Sequence, residues 1–275
     1  MGDLLIVASC NGYVRALDKN TGAVRWTYDT RPDGAPLEFH GDPLIAEDLI
    51  ILGSDFRQAE GVAFVYAFEK ATGKLRWKHR VPHGVMADIQ RRGSNLYAVT
   101  LDDELICLDL ATGDFKWKFA SGFTNNKFTR NSTPAVAGNR VFFGGLNGTL
   151  YALAADAGTL LWQREFGARI STSVVVHGES VYVGTANRQL YRLNADTGTV
   201  GTELSVPATP HGPLLAAGDA LLVFLGDDVV TCVDLALAVS ARAASRTPTG
   251  LLRAPICGVT ECWWETRRDL SLPTA

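Results

Sequence analysis

Ala16-Leu17-Asp18-Lys19-Asn20-Thr21-Gly22-Ala23-Val24-Arg25-Trp26 is the stretch on which the rest of the chain is patterned. It returns as Ala67-Phe68-Glu69-Lys70-Ala71-Thr72-Gly73-Lys74-Leu75-Arg76-Trp77, and again as Cys107-Leu108-Asp109-Leu110-Ala111-Thr112-Gly113-Asp114-Phe115-Lys116-Trp117. A fourth copy runs from Ala152 through Gly158 to Trp162. A fifth, Arg192 through Gly198 to Thr202, keeps the turn and loses the tryptophan. A sixth starts at Cys232-Val233-Asp234 and has faded by Arg242. The copies begin at residues 16, 67, 107, 152, 192 and 232. That spacing of roughly 40–50 residues marks repeated supersecondary units.

Each copy reads as strand, tight turn, strand. The Asp-x-x-Thr-Gly core is turn chemistry: an Asp side chain caps nearby backbone N–H groups, and a Gly accepts positive φ. Two more short apolar runs precede each copy, as in Thr133-Pro134-Ala135-Val136 and Arg140-Val141-Phe142-Phe143-Gly144. One unit is therefore about four short antiparallel strands, the size of a propeller blade. Trp26, Trp77, Trp117 and Trp162 fall at one motif position, so one structural role serves all of them: a flat ring filling the wedge between neighbouring blades, its indole N–H donated to the next backbone. The small residue opening the motif, Ala16, Ala67 or Ala152, leaves room for the ring.

Ala-x-Asp-x-x-Thr-Gly-x-x-x-Trp resembles the tryptophan-docking repeat of the pyrroloquinoline-quinone-like (PQQ-like) β-propellers, from about residue 3 to 245. The resemblance implies an all-β propeller of four-stranded antiparallel blades, six in number, or seven with one incomplete. It spans quinoprotein alcohol dehydrogenases, the outer-membrane assembly lipoprotein of Gram-negative bacteria and sensor modules, so it does not by itself choose a function. A dehydrogenase of this kind implies a longer chain, adjacent cysteines and a calcium site. This chain has no adjacent cysteine pair. The expectation is a non-catalytic binding scaffold with a protein partner. The alternatives are a relative or fragment of a quinone-dependent dehydrogenase and a sensor module of a larger protein.

With 275 residues and 47% hydrophobic content, the chain can bury a full core as one domain, 1–275. A net charge of −3 gives no argument for nucleic acid or an anionic membrane. No apolar run is long enough to span a bilayer. Met1-Gly2-Asp3-Leu4-Leu5-Ile6-Val7 lacks a basic start and a cleavage pattern, so no signal peptide is expected. The family resemblance implies a periplasmic or envelope location, with the cytoplasm as the alternative. A monomer is expected. Cys107 and Cys232 replace the motif's alanine and read as small buried thiols; Cys257 and Cys262 could face each other across a short hairpin, but the odd count of five favours free thiols.

The units fall near 3–28, 42–81, 85–119, 132–166, 171–204 and 213–243. The first lacks an opening strand, and 253–266 supplies a closing strand or a partial blade. Asp55 to Gly61 reads as an extended loop, and Asn11-Gly12 and Asn147-Gly148 as hairpin turns. Loss of the motif tryptophan predicts looser packing in the fifth and sixth units.

No catalytic motif is present: no His-Glu-x-x-His, nucleophile elbow or phosphate loop. Asp102-Asp103-Glu104 and Asp227-Asp228 read as solvated turn carboxylates. No metal site and no cofactor are expected. In a propeller the first strand of each blade lines the axis. The residues leading into it, Arg130, Arg169 and Arg253 with His40 and His211, are thus predicted to ring one channel mouth. Such a ring is stable only with counter-charge, either Asp42 and Asp88 or an acidic ligand held by forked Arg contacts.

Overall fold

In the computed structural model, residues 3–33, 37–55, 62–123, 131–226 and 229–237 are described in full, together with the backbone of three strands near the C-terminus. The described residues form six antiparallel sheets of three or four strands and a separate two-stranded hairpin. Blade 1 has three strands, Leu4–Ser9, Tyr13–Asp18 and Val24–Asp29. Blade 2 comprises Leu44–Ala46, Leu49–Gly53, Ala63–Glu69 and Leu75–Val81. Blade 3 comprises Gln90–Arg92, Asn95–Val99, Glu104–Asp109 and Phe115–Ala120. Blade 4 comprises Ala135–Ala137, Arg140–Gly144, Thr149–Ala154 and Leu160–Glu165. Blade 5 comprises Val175–His177, Ser180–Thr185, Gln189–Asn194 and Val200–Ser205. Blade 6 comprises Pro210–Ala217, Ala220–Leu225, Val229–Asp234 and Arg242–Ser245. The one helical element among the described residues is a single 3₁₀ turn, Arg31–Asp33.

The Thr-Gly motif forms the turn into the last strand. Asp18 Oδ1 accepts from the N–H groups of Asn20 and Thr21 and from Thr21 Oγ1, while Gly22 N–H donates to Asp18 O. Asn194 does the same in blade 5, where the motif has no Asp. The turns of blades 2 to 5 then receive the tryptophan of the preceding blade. A Cβ added at Gly73, Gly113, Gly158 or Gly198 would lie 2.5 Å from the ring of Trp26, Trp77, Trp117 or Trp162 respectively. So these glycines are needed twice, for their positive φ and for the ring's approach. Trp26, Trp77 and Trp162 donate Nε1–H to the carbonyls of Lys70, Leu110 and Ala195, all at 3.0 Å. Burying a ring of this size removes on the order of 150–250 Å² from water, several kcal/mol of gross stabilisation.

Five buried apolar clusters fill the five successive junctions between blades. The fifth junction is built differently. Blade 5 has Thr202 where Trp would stand, and Tyr182, only 2% exposed, packs into the junction from its second strand. Its hydroxyl donates to Leu235 O at 2.9 Å, the carbonyl that a motif tryptophan would take. Tyr97 in blade 3 does likewise toward Ala155 O, 2.8 Å away. There the motif tryptophan is also present, and Trp117 Nε1 is buried with no hydrogen-bond partner among the described residues. The side chains at the corresponding end of blade 6 lie outside the described residues, as do those of Trp263 and Trp264.

The ends of the chain lie in separate sheets. Pro255–Gly258 pairs with Glu261–Trp264, with Cys257 opposite Cys262 in the register. Blade 1 remains three-stranded among the described residues. The expected loop at 55–61 begins differently. Asp55 is fully buried and bridges both Glu38 and Gly84, while 56–61 lie outside the described residues.

Candidate functional site

Antiparallel order inside each blade places two kinds of connection on one face: the crossings between blades and the hairpins joining second to third strands. Most of the unusual polar chemistry collects on this face. The crossings are stitched into a belt. Asp42 N–H donates to Asp88 Oδ1 at 2.8 Å, and Asp88 N–H to Thr133 Oγ1 at 3.3 Å. Val174 N–H donates to Thr133 O, Ser132 Oγ to Thr172 O, and Ser173 N–H to Gly212 O. A parallel bridge between Thr172 and Gly212 joins the lead-in segments of blades 5 and 6. The belt therefore runs from blade 2 to blade 6, each crossing fixing the next.

Asp103 is the most constrained carboxylate here, which corrects its reading as a solvated turn residue. It is 0% exposed and sits at φ 60°, a left-handed conformation that costs a non-glycine residue. Asn131 Nδ2 donates to it at 2.9 Å, Ser121 Oγ at 2.5 Å and Leu146 N–H at 3.0 Å. Burial raises its pKa above the ordinary carboxylate range, and the three donors oppose that rise. Asp103 thus locks the hairpin of blade 3 onto blade 4. Its neighbour Asp102 pairs with His83 instead, Oδ1 to Nδ1 at 2.5 Å.

A second cluster joins blades 1 and 2. His40 Nδ1 lies 2.8 Å from Asp55 Oδ2. His40 Nε2 lies 3.9 Å from Glu38 Oε2 and 3.9 Å from Cys10 Sγ, the latter on the hairpin of blade 1. Glu38 and Asp55 exchange both backbone hydrogen bonds, each 2.9 Å, which fixes their separation. No pattern in the sequence marks this cluster: its members have no common motif and come from three separate segments.

The members of the predicted ring of cations have separate surroundings. Arg130 and Arg253 lie outside the described residues. His40 is held against two carboxylates, so it does not stand as a free cation of such a ring. Arg169, on the crossing into blade 5, and His211, at the start of the first strand of blade 6, are exposed and have no ion-pair partner among the described residues. Asp42 and Asp88 engage each other through backbone and side chain at the start of the belt. The opposite face holds a cleft of about 450 Å³ between blades 2 and 3, lined by Glu47, Asp48, Arg76, Arg91 and Leu110 among others. Arg91 is already paired there with Glu47 at 2.6 Å.

The family model described as "Outer membrane protein assembly factor BamB" matches residues 10–167 and 146–241. The chain belongs to this family. Its repeat is the PQQ-like docking repeat, and the architecture is that of the BamB propellers. The outer membrane protein assembly factor BamB of Yersinia pestis is 25% identical over 172 residues, covering 58% of this chain and 40% of that protein. The BamB of Shewanella oneidensis is 26% identical over 187 residues, covering 64% of this chain and 44% of its own length. The chain thus spans less than half of these curated relatives. A quinohemoprotein alcohol dehydrogenase of Pseudomonas putida is 31% identical over 77 residues, only 11% of its length. The crystal structure of BamB from Moraxella catarrhalis superposes with a TM-score of 0.69 at 20% identity, covering 85% of this chain and 70% of that one. That likeness concerns the fold.

Proposed function

We propose that this BamB-family propeller is a non-catalytic scaffold of the bacterial envelope that binds protein partners through the face carrying the blade crossings. The family match supports a role in outer-membrane protein assembly. The observation that carries the choice of face is the belt of hydrogen bonds from Asp42 to Gly212, which holds the crossings rigid before a partner arrives. A preordered surface avoids the entropic cost of ordering loops on binding. Arg169 and His211, both exposed near the crossings into blades 5 and 6, suit acidic side chains of a partner, with Arg130 and Arg253 as further candidates.

The dehydrogenase reading draws on a match to about a quarter of the chain. Among the described residues, Asp55 and Asp102 are paired with histidines and Asp103 is bonded to blade 4. Added quinone with calcium should give no alcohol-dependent dye reduction. The scaffold reading is tested by photo-crosslinking residues placed at Arg169 and His211, compared with Thr72 and Thr112 on the opposite face. Cross-links to outer-membrane assembly proteins from the first pair alone support the proposed face. Equal or reversed yields overturn it.

A further inference from the structure

The cluster at the blade 1 and blade 2 junction has the composition and arrangement of a metal site. Cys10 Sγ, Glu38 Oε2 and His40 Nε2 all lie within 4.8 Å of one another. Around a tetrahedral zinc ion, sulfur, nitrogen and oxygen ligands stand about 3.3–3.6 Å apart. The two separations to His40 Nε2 are 3.9 Å, so each closes with a shift of a few tenths of an ångström. Cys10 is exposed on a hairpin whose turn is set by Gly12, so it is the ligand with freedom to move.

The imidazole is already oriented for the role. Asp55 is fully buried and sits 2.8 Å from Nδ1, which keeps a proton on that nitrogen and leaves the Nε2 lone pair toward Cys10 and Glu38. A carboxylate on the far nitrogen of a ligating histidine fixes the tautomer and raises ligand basicity. Asp55 is in turn fixed by its backbone bridges to Glu38 and Gly84. This support comes from a separate segment, just past the end of the strand Leu49–Gly53.

We propose that Cys10, Glu38 and His40 bind a divalent transition-metal ion of the zinc class, with a fourth position open to solvent. One thiolate, one imidazole and one carboxylate suit a borderline cation and disfavour calcium or magnesium, which take oxygen ligands. The ion would tie the blade 1 hairpin to the crossing that follows it. Binding would draw the proton off the Cys10 thiol.

Cobalt(II) is the probe that tests this, added to reduced, metal-free protein. The wild type should develop the thiolate-to-cobalt charge-transfer band and the visible bands of a tetrahedral ion, and zinc should abolish both by competition. Cys10→Ser, at an exposed position, should lose the charge-transfer band while remaining folded. Asp55→Asn should weaken cobalt affinity by about 10–100-fold. His83→Ala, which removes the other His–Asp pair, should leave the spectrum unchanged. Failure of the wild type to develop a cobalt–thiolate band, or an unaltered band in Cys10→Ser, overturns the proposal.

Discussion

The junction between blades 2 and 3 and the junction between blades 5 and 6 solve one packing problem with different residues. At the first, Trp77 reaches from the outer strand of blade 2, covers Gly113 and donates to Leu110 O. At the second, the outer strand offers only Thr202, and Tyr182 reaches the matching carbonyl of Leu235 from two strands further in. The junction between blades 3 and 4 has both devices, and they compete. Tyr97 takes Ala155 O, and the Trp117 indole keeps its apolar contact with Gly158 but makes no hydrogen bond. What is common to the junctions is the demand and not the residue: a large ring must fill the wedge, and some donor must meet the carbonyl in the turn. The aromatic rings also meet each other, Tyr97 with Trp117 at 5.9 Å and Phe142 with Trp162 at 5.9 Å.

The comparison can be broken most directly at Trp77. Trp77→Ala should cost about 3–5 kcal/mol, since it empties a buried wedge. Denaturant unfolding measures this, and a loss below about half a kcal/mol would mean that the ring does not hold the junction. Next comes the floor beneath the ring. Gly113→Ala should cost about 2–4 kcal/mol, because the new methyl meets Trp77 and the backbone stays at φ 75°. Gly22 has the same turn and φ 72° but no described group within 4 Å, so Gly22→Ala should cost only about 1–2 kcal/mol, the backbone part alone. Equal losses at the two glycines would remove ring contact as the reason for Gly113.

A smaller difference separates the two tyrosines. Tyr182→Phe leaves Leu235 O without its donor and should cost about 1 kcal/mol. Tyr97→Phe frees Ala155 O for the Trp117 indole, so it should cost less than about half of that. Unfolding of both variants on the background of Trp117→Phe sharpens the point, because the rescue should then vanish and the two losses converge.

The smallest effect is a pH dependence in the turns. The Arg25 guanidinium beside Asp18, helped by the Thr21 and Asn20 donors, holds its carboxyl well below the usual carboxylate range. A folded pKa below the unfolded one contributes stability that is complete above the unfolded value. It is lost as pH falls through the folded one. Asp18→Asn keeps an acceptor for the turn, as Asn194 does in blade 5, and removes the titration. The variant should therefore be slightly less stable than wild type at neutral pH, and the gap should close on acidification. Asp103 runs the other way: its pKa is raised by burial, so Asp103 opposes folding as pH rises from the ordinary carboxylate range toward its own value. Urea midpoints of both Asp→Asn variants across the acidic range separate the two signs.

The sequence by itself determined the architecture. Asp-x-x-Thr-Gly-x-x-x-Trp encodes its own turn, and the residues that make it are near neighbours, so its geometry rests on local hydrogen bonds. The unit of four strands and the docking role of Trp26, Trp77, Trp117 and Trp162 follow from that spacing, since a ring placed identically in successive blades meets an identical neighbour. Tertiary structure alone decided what the polar residues do. Asp102 and Asp103 are adjacent in the chain, yet one is paired with a histidine and the other is sealed against blade 4 by donors from Ser121, Asn131 and Leu146. Cys10, Glu38, His40 and Asp55 meet only because a hairpin, a crossing and a strand end converge where two blades join. Periodicity fixes which face a residue shares with its own blade. Contacts between connections of different blades have no period, because each crossing has its own length and path, and they become visible only once the blades are stacked.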